Sequence, residues 1–145
     1  LPLHLWASPQ ADAAAGVPAA AAELRDRFLR EQLSHSDIYK HASTLRMLAS
    51  KCQRVAEFGV RKGSSTWPLL LGLHESDAAA PKVHMARDLD DFPDAKHAER
   101  LGRELGVDYS FQRRDVLESR MPFDVDLLFI DTYHVFAQLR TELRM

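Results

Sequence analysis

A short apolar run that breaks on glycine constrains this chain more than any other feature. Val55-Ala56-Glu57-Phe58 leads into Gly59-Val60-Arg61-Lys62-Gly63 and then into Ser64-Ser65-Thr66. The run suits a buried strand. Gly59 and Gly63 can take positive φ and let a ligand approach the main chain where a Cβ would stand in the way. Ser64 or Ser65 can cap the helix that continues through Trp67, Leu70, Leu71 and Leu73, leaving its first N–H groups pointing into the turn. A strand, a tight turn and a helix in that order belong to an α/β protein, and the turn has the outline of a binding site.

The acid in the turn limits what can bind there. A dinucleotide fingerprint has the form G-x-G-x-x-G at this place, whereas this chain has Glu57-x-Gly59-x-x-x-Gly63. A carboxylate about 5 Å from a pyrophosphate charge costs on the order of 3 kcal/mol at an effective dielectric of about 20, unless Arg61 or Lys62 cancels it. Glu57 therefore disfavours a nucleotide-dependent oxidoreductase and favours a ligand with a cationic part. S-adenosylmethionine fits, with an ammonium, a sulfonium and no phosphate. The run Glu57-Phe58-Gly59-Val60-Arg61-Lys62-Gly63-Ser64-Ser65-Thr66 resembles the first motif of class I S-adenosylmethionine-dependent methyltransferases.

Composition sets outer limits. A chain of 145 residues can bury one core, and its formal charge of −2 offers no basic footprint for nucleic acid. Cys52 is the only cysteine, which excludes an internal disulfide and a multi-cysteine zinc site. No apolar run reaches the roughly 18 residues that span a bilayer. A cytoplasmic protein with no membrane partner is the expectation. Residues 1–18 are rich in alanine and proline and are expected to form a flexible arm.

Residues 19–53 are expected to form two helices, the first with Leu24 and Phe28 on a narrow apolar stripe, the second running through Ile38, Ala42, Leu45 and Cys52. At those spacings Cys52 is a small core residue. In the resembled family the helices before the first motif often cover the pockets, so Tyr39 and His41 either face a ligand or sit on a solvated helix face.

From residue 54 onward short strands alternate with helices. Lys82 to Asp88 has strand alternation, and an acid at its end suits a ribose, whose vicinal hydroxyls a carboxylate can accept; Asp88 is the first choice and Asp90 the reserve. Pro93 suits the first turn of a helix carrying Ala95, Ala98, Leu101 and Leu105 inward and ending on Gly106. Val107 to Arg113 alternates as a third strand. Asp115 after it caps a turn or, as the resemblance implies, lies near the adenine amine.

Asp124 to Asp131 is the most apolar stretch, expected to be a parallel strand whose carboxyl end delivers Asp131 to the ligand side of the sheet. Leu128-Phe129-Ile130-Asp131-Thr132-Tyr133-His134 resembles the fourth motif of a methyltransferase branch that includes cephalosporin-hydroxylase-like and other small-molecule proteins. Two roles suit the pair. Asp131 binds a divalent metal with His134 as second ligand or general base, or Asp131 holds the methionine end of the cofactor while His134 packs as a helix cap. One carboxylate and one imidazole are too few to demand a metal.

The whole predicts an α/β, Rossmann-like parallel sheet of order 3-2-1-4, incomplete and preceded by two helices, with residues 54–145 forming the cofactor-binding half. The resemblance implies cofactor contacts from Glu57, Gly59, Gly63, Ser64, Asp88 and Asp115, catalysis by Asp131 and His134, and methyl transfer to a small molecule. Class I domains continue through three more strands, so the chain has the look of a truncation after the fourth. That strand would be an apolar edge open to a second copy. A noncatalytic Rossmann-like assembly module is the alternative function.

Overall fold

The computed structural model describes residues 18–118 and 120–144. The expected arm, residues 1–18, lies outside the described residues but for Pro18. The elements are α1 (Ala19–Leu33), a 3-10 turn (Tyr39–His41), α2 (Ala42–Ala49), β1 (Arg54–Phe58), α3 (Thr66–Glu75), β2 (Lys82–Asp88), α4 (Ala95–Glu104), β3 (Val107–Arg113), a second 3-10 turn (Val116–Glu118), β4 (Leu127–Ile130) and α5 (Phe136–Glu142). The four strands are parallel and lie in the order β3-β2-β1-β4, as the motif order implied.

Strand alternation decides which face each side chain serves. Val55 of β1, Ala86 of β2, Val107 and Tyr109 of β3 and Phe129 of β4 face one side, where α1 to α4 supply Leu24, Phe28, Leu45, Leu69, Leu73 and Leu101. The other side carries Ala56, Phe58 and Met85. It is covered by the β3-to-β4 connection through Val116, Met121, Phe123 and Val125. Helix α3 is apolar nearly all round and buried from Thr66 to Leu73 because α2 covers its outer side. Arg46 of α2 fixes that second layer with a two-pronged bond to Glu75, both distances 2.7 Å.

Three local expectations need correction. Helix α2 is shorter than the spacing suggested: Tyr39–His41 forms a separate 3-10 turn, and Cys52 falls beyond the helix end. Cys52 is nonetheless buried, and burial raises its thiol pKa, as suits a packing residue. Helix α4 begins at Ala95 behind Asp94, so Pro93 stands just outside its first turn. Its far end is as expected, with Gly106 at φ 74 taking the left-handed position. Strand β4 is four residues long, half-buried throughout and at the sheet edge among the described residues. Around it Tyr133, Phe136 and Leu143 are 74%, 78% and 67% exposed, so α5 leaves apolar side chains uncovered among the described residues.

Asp126 fastens the amino end of the β1–β4 pair: its Oδ2 accepts the N–H of Gln53 at 2.8 Å and of Arg54 at 2.9 Å. Bonds from Arg54 and then Gln53 hold its pKa below the usual carboxylate value. A lowered folded-state pKa means that this contribution to stability is whole above the unfolded value, near 4, and is lost as the pH falls through the still lower folded one. The urea midpoint is expected to drop between about pH 5 and 3, and Asp126→Asn to flatten part of that drop while lowering the neutral-pH midpoint slightly. Identical pH profiles for the two proteins would show that Asp126 fastens nothing.

Candidate functional site

The sheet order reverses between β1 and β4, and the carboxyl ends of the strands at such a reversal form a crevice. Here the crevice is floored by Gly59. It follows β1 at φ 88, with its N–H bonded to Arg87 O at 2.9 Å, and it lies directly against the Asp131 carbonyl that follows β4. Two cavities open on either side of this contact and share Asp37, Gly59, Arg61, Asp90 and Asp131. They are two lobes of one groove. The first, about 720 Å³, runs toward Ser64, Ser65 and the 34–38 segment. The second, about 650 Å³, runs over Asp88, Asp115, Tyr133 and His134. Each lobe is of the size that holds a small-molecule ligand.

Asp88, the last residue of β2, builds the turn and lines the groove. Its Oδ2 accepts the main-chain N–H of Val60 at 2.6 Å and of Arg61 at 2.8 Å, and its Oδ1 accepts that of Asp90 at 3.0 Å. Burial pushes its pKa up, but the N–H bonds from Arg61, Asp90, Val60 and Leu89 together outweigh burial and leave it below the ordinary value. Asp115 caps the 3-10 turn through Leu117 N–H at 2.9 Å and also lines the second lobe. Asp131 accepts His134 Nε2 at 2.9 Å; the carboxylate is 23% exposed and the imidazole 81%.

Glu57 is placed elsewhere, and its expected cofactor contact is corrected. The side chain is fully buried on the helix-covered face, the face Val55 shares, and lines neither lobe. Ser65 Oγ donates to it in a short bond, Thr66 Oγ1 lies 3.0 Å from Oε2, and His84 Nε2 lies 2.9 Å from Oε2. This also accounts for the failed capping expectation. Ser65 occupies the N-cap position of α3 but makes no side-chain cap bond, because its hydroxyl is given to Glu57. Gly63 is likewise off the groove: a Cβ there would meet the Phe92 ring at 2.6 Å. Ser64 does line the first lobe.

Tyr39 and His41 are absent from both lobes; the first is lined instead by Ser34 to Ile38, and the second by Asp37 alone of that segment. The pairing of Arg61 with Asp37, 2.7 Å apart across the groove, went unread, and no signal in the sequence links the two residues. Among the described residues no group of three His, Cys, Asp or Glu side chains gathers to hold a metal ion. No described helix is long and apolar enough to cross a membrane.

No protein-family profile and no curated protein matches the chain. Solved structures do share its fold. A candidate O-methyltransferase from Klebsiella pneumoniae matches with a TM-score of 0.54 at 22% identity, over 91% of this chain and 62% of its own. An O-methyltransferase from Bacillus cereus, in complex with SAH (S-adenosylhomocysteine), matches with 0.52 at 17% identity, over 92% and 64%. A cofactor-bound protein from MTB matches with 0.51 at 22% identity, over 91% and 62%. The chain spans less than two thirds of each, and at these identities the shared property is the Rossmann-like fold.

Proposed function

We propose that the chain is the cofactor-binding part of an S-adenosylmethionine-dependent methyltransferase acting on a hydroxyl of a small molecule. The observation that carries this is the charge of the groove at the strand-order reversal. The second lobe is lined by five carboxylates, Asp37, Asp88, Asp90, Asp115 and Asp131, against three guanidinium groups. Such walls favour a cationic ligand over a phosphorylated one. The structural neighbours named as O-methyltransferases point the same way.

The residues fit the cofactor. Asp88 Oδ1 accepts the Asp90 N–H and, at the edge of the second lobe, can still accept from a ribose hydroxyl. Asp115, with Oδ1 on the Leu117 N–H, can offer Oδ2 to an exocyclic amine. Gly59, Ser64 and Asp131, which line the first lobe, would hold the methionine end. Bound S-adenosylmethionine supplies a methyl group on a cationic sulfur, which leaves as a neutral thioether when the acceptor oxygen takes the methyl.

The chain's own contribution is to position the acceptor and receive the hydroxyl proton. Asp131 orients the His134 ring by holding Nε2, so that in the tautomer with Nε2–H the other nitrogen, Nδ1, carries the lone pair that accepts the proton. A metal held by Asp131 remains the second form of this proposal, its other ligands coming from substrate or water.

Calorimetry with S-adenosylmethionine and S-adenosylhomocysteine tests the assignment. Asp88→Ala removes both the ribose acceptor and the clip on the turn, and is expected to weaken both compounds at least tenfold, about 1.4 kcal/mol or more. The exposed apolar edge of β4 and α5 favours a second reading, in which the fold serves assembly through β4. Binding of neither compound by the folded chain, together with a dimer's mass in solution, would replace the first reading with the second.

A further inference from the structure

The two lobes of the groove are separated by an ion pair that neither the fold nor the proposed chemistry requires. Arg61, in the turn after β1, reaches Asp37, in the segment after α1, at 2.7 Å from Nη1 to Oδ2, and both residues line both lobes. The direction of that reach is built into the main chain. Arg61 holds φ 50, uncommon for a residue with a Cβ, and its N–H is fixed on Asp88 Oδ2 at 2.8 Å. Asp131 and Asp88 add their attraction to that of Asp37 and help keep the guanidinium charged. Lys62, one residue on, lines only the first lobe.

We propose that Arg61 is a specificity-determining residue: clasped to Asp37 across the middle of the groove, it is a resident cation that competes with a ligand's positive charge, and so sets how far the groove prefers the sulfonium cofactor to its neutral product. This rests on the reading of the groove as an S-adenosylmethionine site. The magnitudes suit a clasp rather than a strut. The two side chains are 66% and 71% exposed, and ion pairs so open to water hold weakly. A ligand can open it at little cost. A compound with one positive charge fewer has less attraction to the carboxylates around Arg61 and disturbs the pair less. Without Arg61 the groove gains one net negative charge where the lobes meet, which strengthens binding of a cation and leaves a neutral thioether nearly unaffected.

The experiment is the ratio of the dissociation constants of S-adenosylmethionine and S-adenosylhomocysteine, measured by calorimetry on the whole chain. Arg61→Gln is expected to shift the ratio about three- to fivefold in favour of S-adenosylmethionine, and Asp37→Asn to shift it the other way. Arg61→Asn repeats the first test with a residue that tolerates the left-handed backbone. Lys51→Gln, an exposed charge at the opposite end of β1, is expected to leave the ratio unchanged. An unchanged ratio in both Arg61 variants, or an equal shift in Lys51→Gln, overturns the inference and leaves the cofactor assignment standing. Failure of the folded wild-type chain to bind either compound overturns both.

Discussion

Gly59→Ala is expected to destabilise the chain by at least about 3 kcal/mol and to abolish binding in the groove, whereas Gly106→Ala is expected to cost only about 1 kcal/mol. Both glycines have positive φ, 88 and 74, so both replacements carry the left-handed penalty of about 1–2 kcal/mol. What differs is the space. A Cβ on Gly106 meets nothing within 4 Å. On Gly59 it would run into the Asp131 carbonyl oxygen, with the carbonyl carbon at 2.6 Å and Thr132 N at 3.2 Å. Those are main-chain atoms and cannot rotate aside. Relief requires drawing Asp131 away from β1, which breaks its N–H bond to Phe58 O at 2.8 Å and opens the β1–β4 pair where the groove floor is formed. Urea unfolding of the two variants beside the wild type separates conformational strain from steric exclusion. Equal losses would mean that the close approach of β1 and β4 is not tight.

How much of this was legible in the sequence depends on how far apart the deciding residues lie. Strands β2 and β3 could be placed because Lys82–Asp88 and Val107–Arg113 alternate over seven residues and are bounded by Pro81 and Gly106. The order β3-β2-β1-β4 followed from the motif series, and Asp88, Asp115 and Asp131 came with it, because acids at strand carboxyl ends reach the crevice whatever the rest of the packing does.

Glu57 was misplaced although period-two alternation held the answer. Glu57 shares Val55's side of the strand, and that side is the one the helices cover. A hydroxyl run eight and nine residues later offered partners that compete with helix capping, and the competition is settled by a buried carboxylate's need for donors. Arg61 and Asp37 stand 24 residues apart on segments without periodicity, so nothing local could join them. Half-buried β4 and the exposed face of α5 show the reverse difficulty: an apolar run signals burial without saying what provides it.

Glu57→Ala is expected to cost about 3–5 kcal/mol, because one carboxylate satisfies three buried donors at once. Ser65, Thr66 and His84 are buried, and the side chain of each is hydrogen-bonded to Glu57. The neighbourhood has little slack. His84 Nδ1 and Tyr109 Oη are already buried without a hydrogen-bond partner among the described residues, and the Tyr109 ring packs edge-on against His84 at 4.9 Å. Glu57→Gln keeps one oxygen but puts an NH₂ where a carboxylate accepted, and should cost about 1–2 kcal/mol. The same geometry sets the effect on ligand binding. Glu57 touches the start of α3 and not the groove, so the folded Glu57→Gln chain is expected to bind S-adenosylmethionine within about threefold of wild type, less than 1 kcal/mol, while Asp88→Ala loses at least tenfold. Urea unfolding and calorimetry on the same preparations test both halves. If Glu57→Gln kept its full unfolding free energy yet lost S-adenosylmethionine, the carboxylate would have to face the ligand and not the interior, and the electrostatic preference of the groove would return to the turn acid from the carboxylates that ring Gly59.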